Sequence, residues 1–285
     1  MQATVFDDTI CELGEGPIWA EGRLFWFDIP GQRLHARDEA GATRSWHFGE
    51  RVSAAGRLRE GGLVIASETG LWRFDADSGE WQLIAAMEAD DPTTRSNDGR
   101  ADRQGGFWIG TMGKKFEKGA GALYRLYRGE IRLVRTGLTI PNAICFAPDG
   151  SRGYFSDGND KCIRTWALDA HGWPRQDPET FFDFGPLGGS PDGAIVDSEG
   201  ALWCANWGGG RVLRILPDGR IDAEIALPVR QPTCPAFGPA LDRLYITSAR
   251  EGLDAAALAA QPLAGAVFQA PIAVPGLAEP FVDLD

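Results

Sequence analysis

The sequence lacks an apolar run long enough to span a membrane. Its N-terminus, MQATVFDDTI, lacks the basic and long apolar segments of a signal peptide. It also lacks basic runs longer than a pair, and its formal net charge is −12. An acidic surface repels phosphate backbones, so a nucleic-acid partner is not expected. These absences predict a cytoplasmic protein without a membrane or nucleic-acid partner.

Cysteine is scarce and scattered. The five cysteines form an odd set without a CxxC pair: Cys11, Cys145, Cys162, Cys204 and Cys234. This spacing argues against a disulfide framework and against a zinc–thiolate site. We expect buried, reduced thiols that serve as small apolar side chains.

Glycine, proline and aromatic residues are plentiful, with 37 Gly, 18 Pro, 15 Phe and 10 Trp, which favours short strands and turns. A turn followed by an apolar strand occurs six times, at intervals of about 44 residues. The turns are marked by Gly22, Gly61, Gly105, Gly150, Gly200 and Asp242. Most units add a second hairpin, so four strands per unit predict an all-β, six-bladed β-propeller. A β-sandwich also uses short strands, but it would not repeat a two-hairpin unit six times.

We expect one propeller domain over residues 1–285. Residues 265–272 should complete the last sheet beside the N-terminal strand. The Ala-rich segment Leu253–Ala260 is the only stretch that resembles a helix.

Polar residues recur in register within the repeat. The first-strand positions, seven or eight residues before each turn, are Glu15, Ser53, Asn97, Asn142, Asp192 and Cys234. The second-strand positions, at the end of the following strand, are Asp28, Ser67, Thr111, Asp157, Asn206 and Ser248. Both ends lie at the same edge of a hairpin, so we expect the twelve side chains to surround one mouth of the central channel. For the Ser and Thr members, the alternative is a strand-end residue that satisfies backbone groups.

Three of these positions form an all-oxygen donor set. Glu15, Asn142 and Asp192 supply two carboxylates and an amide oxygen, which suit a hard divalent cation. Carboxylates that converge on a narrow channel repel each other unless a cation lies between them. Asn97 and Asp157 are candidates for a further ligand. His35, His47 and His171 fall outside the register, which disfavours a zinc site and a Ser-His-Asp triad.

Arg95 and Asn97 lie in the segment TTRSNDGRAD, which enters the third unit. Arg95 could bind a carbonyl or oxyanion, and Asn97 could hydrogen-bond a hydroxyl group. The alternative for Arg95 is an ion pair with Asp98 or Asp102.

The same residues carry a family resemblance. The motifs are LGEGPIW (13–19), RSNDGRAD (95–102), WIGTMG (108–113), GALYR (121–125), IPNAICFAPDG (140–150), SPDGAIVDSEGALW (190–203), CPAFG (234–238) and TSAREGL (247–253). Together they resemble the SMP-30/gluconolactonase family, which includes regucalcin and bacterial sugar lactonases. The tail QPLAGAVFQAP is more similar to the bacterial members. The resemblance implies a six-bladed propeller that holds one divalent metal ion in its channel and hydrolyses aldonolactones.

Matched motif by motif, the resemblance implies that Glu15, Asn142 and Asp192 bind the metal. It also implies that Asp192 is the catalytic residue for proton transfer, and that Arg95 and Asn97 bind substrate. The chain departs from regucalcin-like members after GTM, where Lys115 replaces a substrate-contacting Glu and Glu117 lies nearby. No role is transferred to either residue.

The sequence therefore predicts a metal-dependent enzyme that hydrolyses a sugar lactone, such as glucono-, xylono- or arabinonolactone, to the aldonic acid in carbohydrate catabolism. Calcium is the expected ion, with magnesium, manganese, zinc and iron as alternatives. A propeller esterase or phosphotriesterase and a non-catalytic calcium-binding propeller are the competing functions. A monomer or weak oligomer is expected, and the loops at 113–120 and 158–161 should govern the choice of sugar.

Overall fold

The six sequence repeats correspond to six sheets, each with four antiparallel strands, and one of these sheets has an additional fifth strand. The computed structural model describes residues 1–158 and 160–285. The predicted six-bladed propeller is therefore confirmed. Within the described ranges, no helix has the length and apolar character needed to cross a membrane.

Blades 1 to 4 follow one another from the N-terminus. Strand β1 (Thr4–Asp7) precedes blade 1, which consists of β2 (Gly14–Ala20), β3 (Arg23–Asp28), β4 (Arg33–Asp38) and β5 (Thr43–His47). Blade 2 consists of β6 (Val52–Leu58), β7 (Leu63–Ser67), β8 (Gly70–Phe74) and β9 (Trp81–Ala86). Blade 3 consists of β10 (Thr94–Ala101), β11 (Phe107–Gly113), β12 (Gly121–Tyr127) and β13 (Glu130–Leu138). Blade 4 consists of β14 (Pro141–Phe146), β15 (Arg152–Asp157), β16 (Cys162–Ala167) and β17 (Glu179–Asp183).

Blade 5 follows a short 3₁₀ helix at Gly185–Leu187 and consists of β18 (Ser190–Val196), β19 (Leu202–Trp207), β20 (Arg211–Ile215) and β21 (Ile221–Ala226). Blade 6 consists of β22 (Pro232–Phe237), β23 (Arg243–Ser248), β24 (Val267–Pro271) and, from the N-terminus, β1. Helix α1 (Ala255–Ala260) connects β23 to β24, and β25 (Phe281–Val282) pairs in parallel with β6.

The pairing of β1 with β24 closes the ring, as expected for residues 265–272. Helix α1 begins two residues later than the sequence suggested. Asp254 caps it by accepting a hydrogen bond from the amide of Ala257.

The first strand of every blade is innermost. Strands β2, β6, β10, β14, β18 and β22 contact one another around the ring and form the wall of the channel. Each of them is bulged near its polar first-strand position. A bulge adds one residue to a strand and redirects the side chains beside it. This local distortion sets the direction of the polar side chains at the channel.

A buried aspartate occupies the turn after the first strand in blades 3 and 5, and it explains part of the sequence repeat. Asp102 accepts hydrogen bonds from the amide of Gly106, the indole of Trp108 and Nε of Arg125. Asp197 repeats the arrangement in blade 5 with Ala201, Trp203 and Arg214. These acids satisfy the turn amides and fix the second and third strands of their blades.

Candidate active site

A cavity of about 630 Å³ opens at one end of the channel. Its polar lining includes all five residues that the sequence singled out, together with Glu251; the five are Glu15, Arg95, Asn97, Asn142 and Asp192. The five residues lie on four different blades, so the fold brings together residues from distant parts of the chain. Their chemical roles stay a prediction at this point.

Glu15 and Asp192 are buried carboxylates in the same cavity, with only 6% and 5% of their surfaces exposed. Burial and the charge of Asp98 raise the pKa of Glu15 to about 8, against the opposing effects of the Gly16 amide, Arg95 and Arg100. Burial and the charge of Glu15 raise the pKa of Asp192 well above its ordinary value. The two groups therefore destabilise each other's ionised form.

Asn142 contributes the amide of the donor set from the bulge of β14. Its Oδ1 accepts a hydrogen bond of 3.1 Å from Nδ2 of Asn97, which also donates to the carbonyl oxygen of Pro141 at 3.0 Å. The residue after Asn142, Ala143, has a positive φ of 55°, which is uncommon for a residue with a side chain. The regular strand is therefore interrupted immediately after Asn142.

Arg95 is buried on the same strand as Asn97. Its Nη1 donates to Oδ1 of Asn97 and to the carbonyl oxygen of Ser96, both at 2.8 Å. Burial lowers the pKa of Arg95 to about 10, while the nearby charge of Glu251 acts in the opposite direction. Among the described residues, Arg95 forms an ion pair with neither Asp98 nor Asp102, so that alternative is wrong.

The second-strand positions do not line the cavity, so the expectation that all twelve positions surround it is wrong. Asp157, a suggested further ligand, instead accepts hydrogen bonds from the amides of Thr139 and Ile140. Asp28 accepts one from Leu13, and Ser248 accepts one from Gly265. These side chains satisfy the backbone of adjoining loops because the bulge is in the first strand and leaves the second strand regular.

The first-strand positions of blades 2 and 6 also lie outside the cavity lining. Ser53 donates to the hydroxyl oxygen of Ser96 at 2.8 Å and so joins blades 2 and 3. Cys234 is fully buried, as are three other cysteines, and all five thiols are unpaired. Within the described residues, no three His, Cys, Asp or Glu side chains are arranged to hold a metal ion. The candidate donor set is therefore two carboxylates and an amide.

Comparison with known proteins decides the family. The SMP-30/Gluconolactonase/LRE-like region matches residues 13–250. The chain belongs to this family. It is 38% identical to the 6-deoxy-6-sulfogluconolactonase of Pseudomonas putida, over 94% of each chain. It is also 38% identical to the L-arabinolactonase of Azospirillum brasilense, over 97% of this chain and 94% of that protein.

A solved structure shows the same architecture. The crystal structure described as a calcium-binding protein, regucalcin, from Agrobacterium tumefaciens is 40% identical to this chain, with a TM-score of 0.95. The match covers 99% of this chain and 97% of that structure's chain. The family resemblance inferred from the motifs is confirmed.

Several residues that line the cavity could not be identified as cavity-lining from the sequence. Met112, Phe116, Ile140, Trp207 and Glu251 lie at strand ends or in loops, outside the polar register. The motif TSAREGL contains Glu251, but nothing in its spacing predicts that the side chain faces the cavity.

The loop at the departure from regucalcin-like sequences contributes an aromatic side chain. The carboxylate of Glu117 accepts a hydrogen bond from the amide of Lys115, and Phe116, between them, lines the cavity. Of the loop at 158–161, Gly158 and Lys161 line the cavity, and Asn159 lies outside the described residues.

Proposed function

We propose that this protein hydrolyses a sugar lactone to the corresponding aldonic acid with the help of one divalent cation. Lactone hydrolysis follows from the family, whose matched relatives include lactonases. The observation that supports the site assignment is the meeting of Glu15 and Asp192 with Asn142 in one buried cavity.

The donor set fits a hard cation. Among the described residues, neither Glu15 nor Asp192 forms an ion pair, although both are buried and each disfavours ionisation of the other. A dication would neutralise both carboxylates, and the amide oxygen of Asn142 is a suitable third donor. We propose that these three residues hold calcium, with magnesium, manganese, zinc or iron as alternatives for the same oxygen donors.

When bound, such a cation supplies Lewis-acid polarisation of the ester carbonyl. The carboxylate of Asp192 accepts a proton from the attacking water, whose oxygen adds to the carbonyl carbon. The bond to the ring oxygen then breaks, and Asp192 returns the proton to that oxygen, which yields the open hydroxy acid. Water attacks the ester carbonyl directly, so this route needs no covalent nucleophile.

Arg95 and Asn97 are proposed to position the substrate. The guanidinium of Arg95 is fixed by two hydrogen bonds to its own strand, so it can bind the developing oxyanion without reorganisation. Asn97 is held between Arg95 and Asn142, and it is placed to hydrogen-bond a substrate hydroxyl beside the proposed metal ligands.

A pH-stat assay tests the proposal on glucono-, xylono- and arabinonolactone and on a phosphotriester, with EDTA and after addition of each candidate cation. We expect turnover of at least one lactone, loss of turnover in EDTA, and recovery with one or more cations. The Asp192→Ala and Asn142→Ala variants should be inactive but folded, while Asp242→Ala, at an exposed acid outside the cavity, should resemble the wild type. Full activity of Asp192→Ala, or undiminished turnover in EDTA, would defeat the proposal.

A further inference from the structure

Glu251 is an acidic residue of the cavity to which the proposed mechanism gives no role. It lies in the loop between β23 and α1 and lines the same cavity as Glu15, Arg95 and Asp192. Its backbone amide donates to the carbonyl oxygen of Glu12 at 3.0 Å, and its own carbonyl accepts from Nε2 of Gln231 at 3.0 Å. Hydrogen bonds to both its backbone amide and its carbonyl oxygen thus fix the backbone of Glu251.

The side chain of Glu251 is left free to meet a ligand. Among the described residues, its carboxylate accepts no hydrogen bond and forms no ion pair. Burial raises the pKa of Glu251, and the charge of Arg95 acts in the opposite direction. Arg95 and Glu251 therefore influence each other across the cavity without a direct ion pair. The carboxylate is half-buried at the cavity wall, so its acceptor oxygens are available to hydrogen-bond donors of a ligand in the cavity.

Trp207 supplies an apolar surface in the same cavity. This half-buried residue at the end of β19 packs against the core cluster that contains Leu13 and Ala249. Leu13 also lines the cavity, so an apolar wall lies among the polar groups. An aromatic ring can pack against the C–H groups of a sugar, while its fixed position costs little conformational entropy.

We propose that Glu251 is a specificity-determining residue that accepts hydrogen bonds from the hydroxyl groups of the lactone, whose C–H face packs against Trp207. An ionised carboxylate is only an acceptor, so it needs donors on the substrate. Sugar lactones carry several hydroxyl donors, whereas unsubstituted lactones and phosphotriesters carry acceptors alone. A site built to bind a hydroxyl rejects analogues that lack it, because its polar group is then left unpaired. This inference rests on the proposed lactonase function, and it assigns to Glu251 the preference of the enzyme for hydroxylated substrates.

Steady-state kinetics on two six-membered lactones test the inference. Glucono-δ-lactone carries hydroxyls, and δ-valerolactone has the same ester ring without them. We expect Glu251→Ala to lower kcat/KM on gluconolactone roughly tenfold, chiefly through KM, with partial rescue in Glu251→Gln. On valerolactone the same variants should stay within about twofold of the wild type. Trp207→Ala should also raise KM for gluconolactone, and Trp207→Phe should restore most of the loss.

Glu12→Gln is the matched control. The carbonyl oxygen of Glu12 accepts the hydrogen bond from the amide of Glu251, and its carboxylate forms an ion pair with Arg250 at 3.8 Å. Glu12 does not line the cavity. The substitution removes the same charge and should leave both substrates unaffected. Equal losses on both lactones in Glu251→Ala, or no loss on gluconolactone, would overturn the inference while leaving the lactonase proposal intact. A wild-type protein that hydrolyses neither lactone with any cation would instead defeat the proposed function, and the inference would fall with it.

Discussion

Asp98 of β10 accepts a hydrogen bond of 2.8 Å from the backbone amide of Ile144 in β14, across the boundary between blades 3 and 4. Ile144 lies in the same bulge as Ala143, which has a positive φ, and Asn142 at the start of that bulge lines the cavity. Asp98 is itself buried, and burial raises its pKa while this amide acts in the opposite direction. The carboxylate thus stabilises the backbone that directs a proposed metal ligand.

Two substitutions separate the hydrogen bond of Asp98 from its charge. Asp98→Asn keeps an acceptor for the Ile144 amide and removes the charge that raises the pKa of Glu15. Asp98→Ala removes both and leaves a buried amide without a partner. We expect the free energy of unfolding of the Ala variant to lie about 1–3 kcal/mol below that of the Asn variant. Urea unfolding of the metal-free proteins measures the difference, and equal stabilities would contradict the assigned role.

Gly16 and Ala143 occupy equivalent bulges of blades 1 and 4, with φ of 52° and 55°. A Cβ on Gly16 would lie 2.3 Å from the backbone carbonyl oxygen of Ser53, whereas Ala143 already accommodates one. We expect Gly16→Ala to lower the free energy of unfolding by about 2 kcal/mol or more, and to weaken cation binding by displacing Glu15. Thermal unfolding and calcium titration measure the two effects.

Ala143→Gly is the control for that prediction. It relieves the left-handed strain but increases the entropy of the unfolded chain, so its stability should stay within about 1 kcal/mol of the wild type. If Gly16→Ala were equally benign, the close approach of blades 1 and 2 at Ser53 would have no energetic significance.

The Arg100–Glu279 ion pair joins the C-terminal segment to the channel wall at β10. Both side chains are only 9% exposed, and Nη2 of Arg100 also donates to the carbonyl oxygen of Pro235 at 3.4 Å. Glu279→Ala would leave the guanidinium buried without its counter-charge. We expect a loss of about 3–5 kcal/mol in the free energy of unfolding, and partial recovery in the double variant Arg100→Met/Glu279→Ala. Urea unfolding measures both changes.

The comparison for that loss is the exposed ion pair between Asp283, in the same C-terminal segment, and Arg59, in the turn after β6, with a separation of 3.6 Å. Asp283→Ala should change the free energy of unfolding by about 1 kcal/mol at most, because exposed ion pairs contribute little. Similar effects of the two substitutions would show that burial of the Arg100–Glu279 pair is not the cause.

The repeat predicted the fold, and the register predicted where Glu15, Asn97, Asn142 and Asp192 come together, because strand alternation and blade symmetry determine those positions. The same reasoning was wrong for Asp157. It expected the side chains at both ends of each hairpin to surround the channel mouth, whereas a bulge redirects only the first strand.

Glu251 could not be predicted in this way. Its direction depends on the hydrogen bonds of its loop to Glu12, more than 200 residues away along the chain, and to Gln231, 20 residues away, and no local pattern encodes them. Phe116 is similar, because it faces the cavity from a loop that folds around the carboxylate of Glu117. Loop conformation depends on such individual contacts more than on periodicity.

Because Glu15 and Asp192 repel each other, we expect Asp192→Asn to stabilise the metal-free protein while it abolishes activity. In the metal-free protein above about pH 8, where Glu15 ionises, Asp192→Asn removes a second buried carboxylate whose ionisation the charge of Glu15 disfavours, so the melting temperature should rise above that of the wild type. Calcium at about 100 times its Kd should stabilise the wild type by about 2.7 kcal/mol, while the variant should respond little and lack lactonase activity.

Thermal unfolding with EDTA and with calcium measures both effects of that substitution. Asp157→Asn is the matched control, because both oxygens of Asp157 accept backbone amides and neither lines the cavity. It should lower the melting temperature and leave the response to calcium unchanged. If Asp192→Asn instead destabilised the metal-free protein and still gained stability from calcium, the two carboxylates would not be held in opposition, and the cation would bind elsewhere.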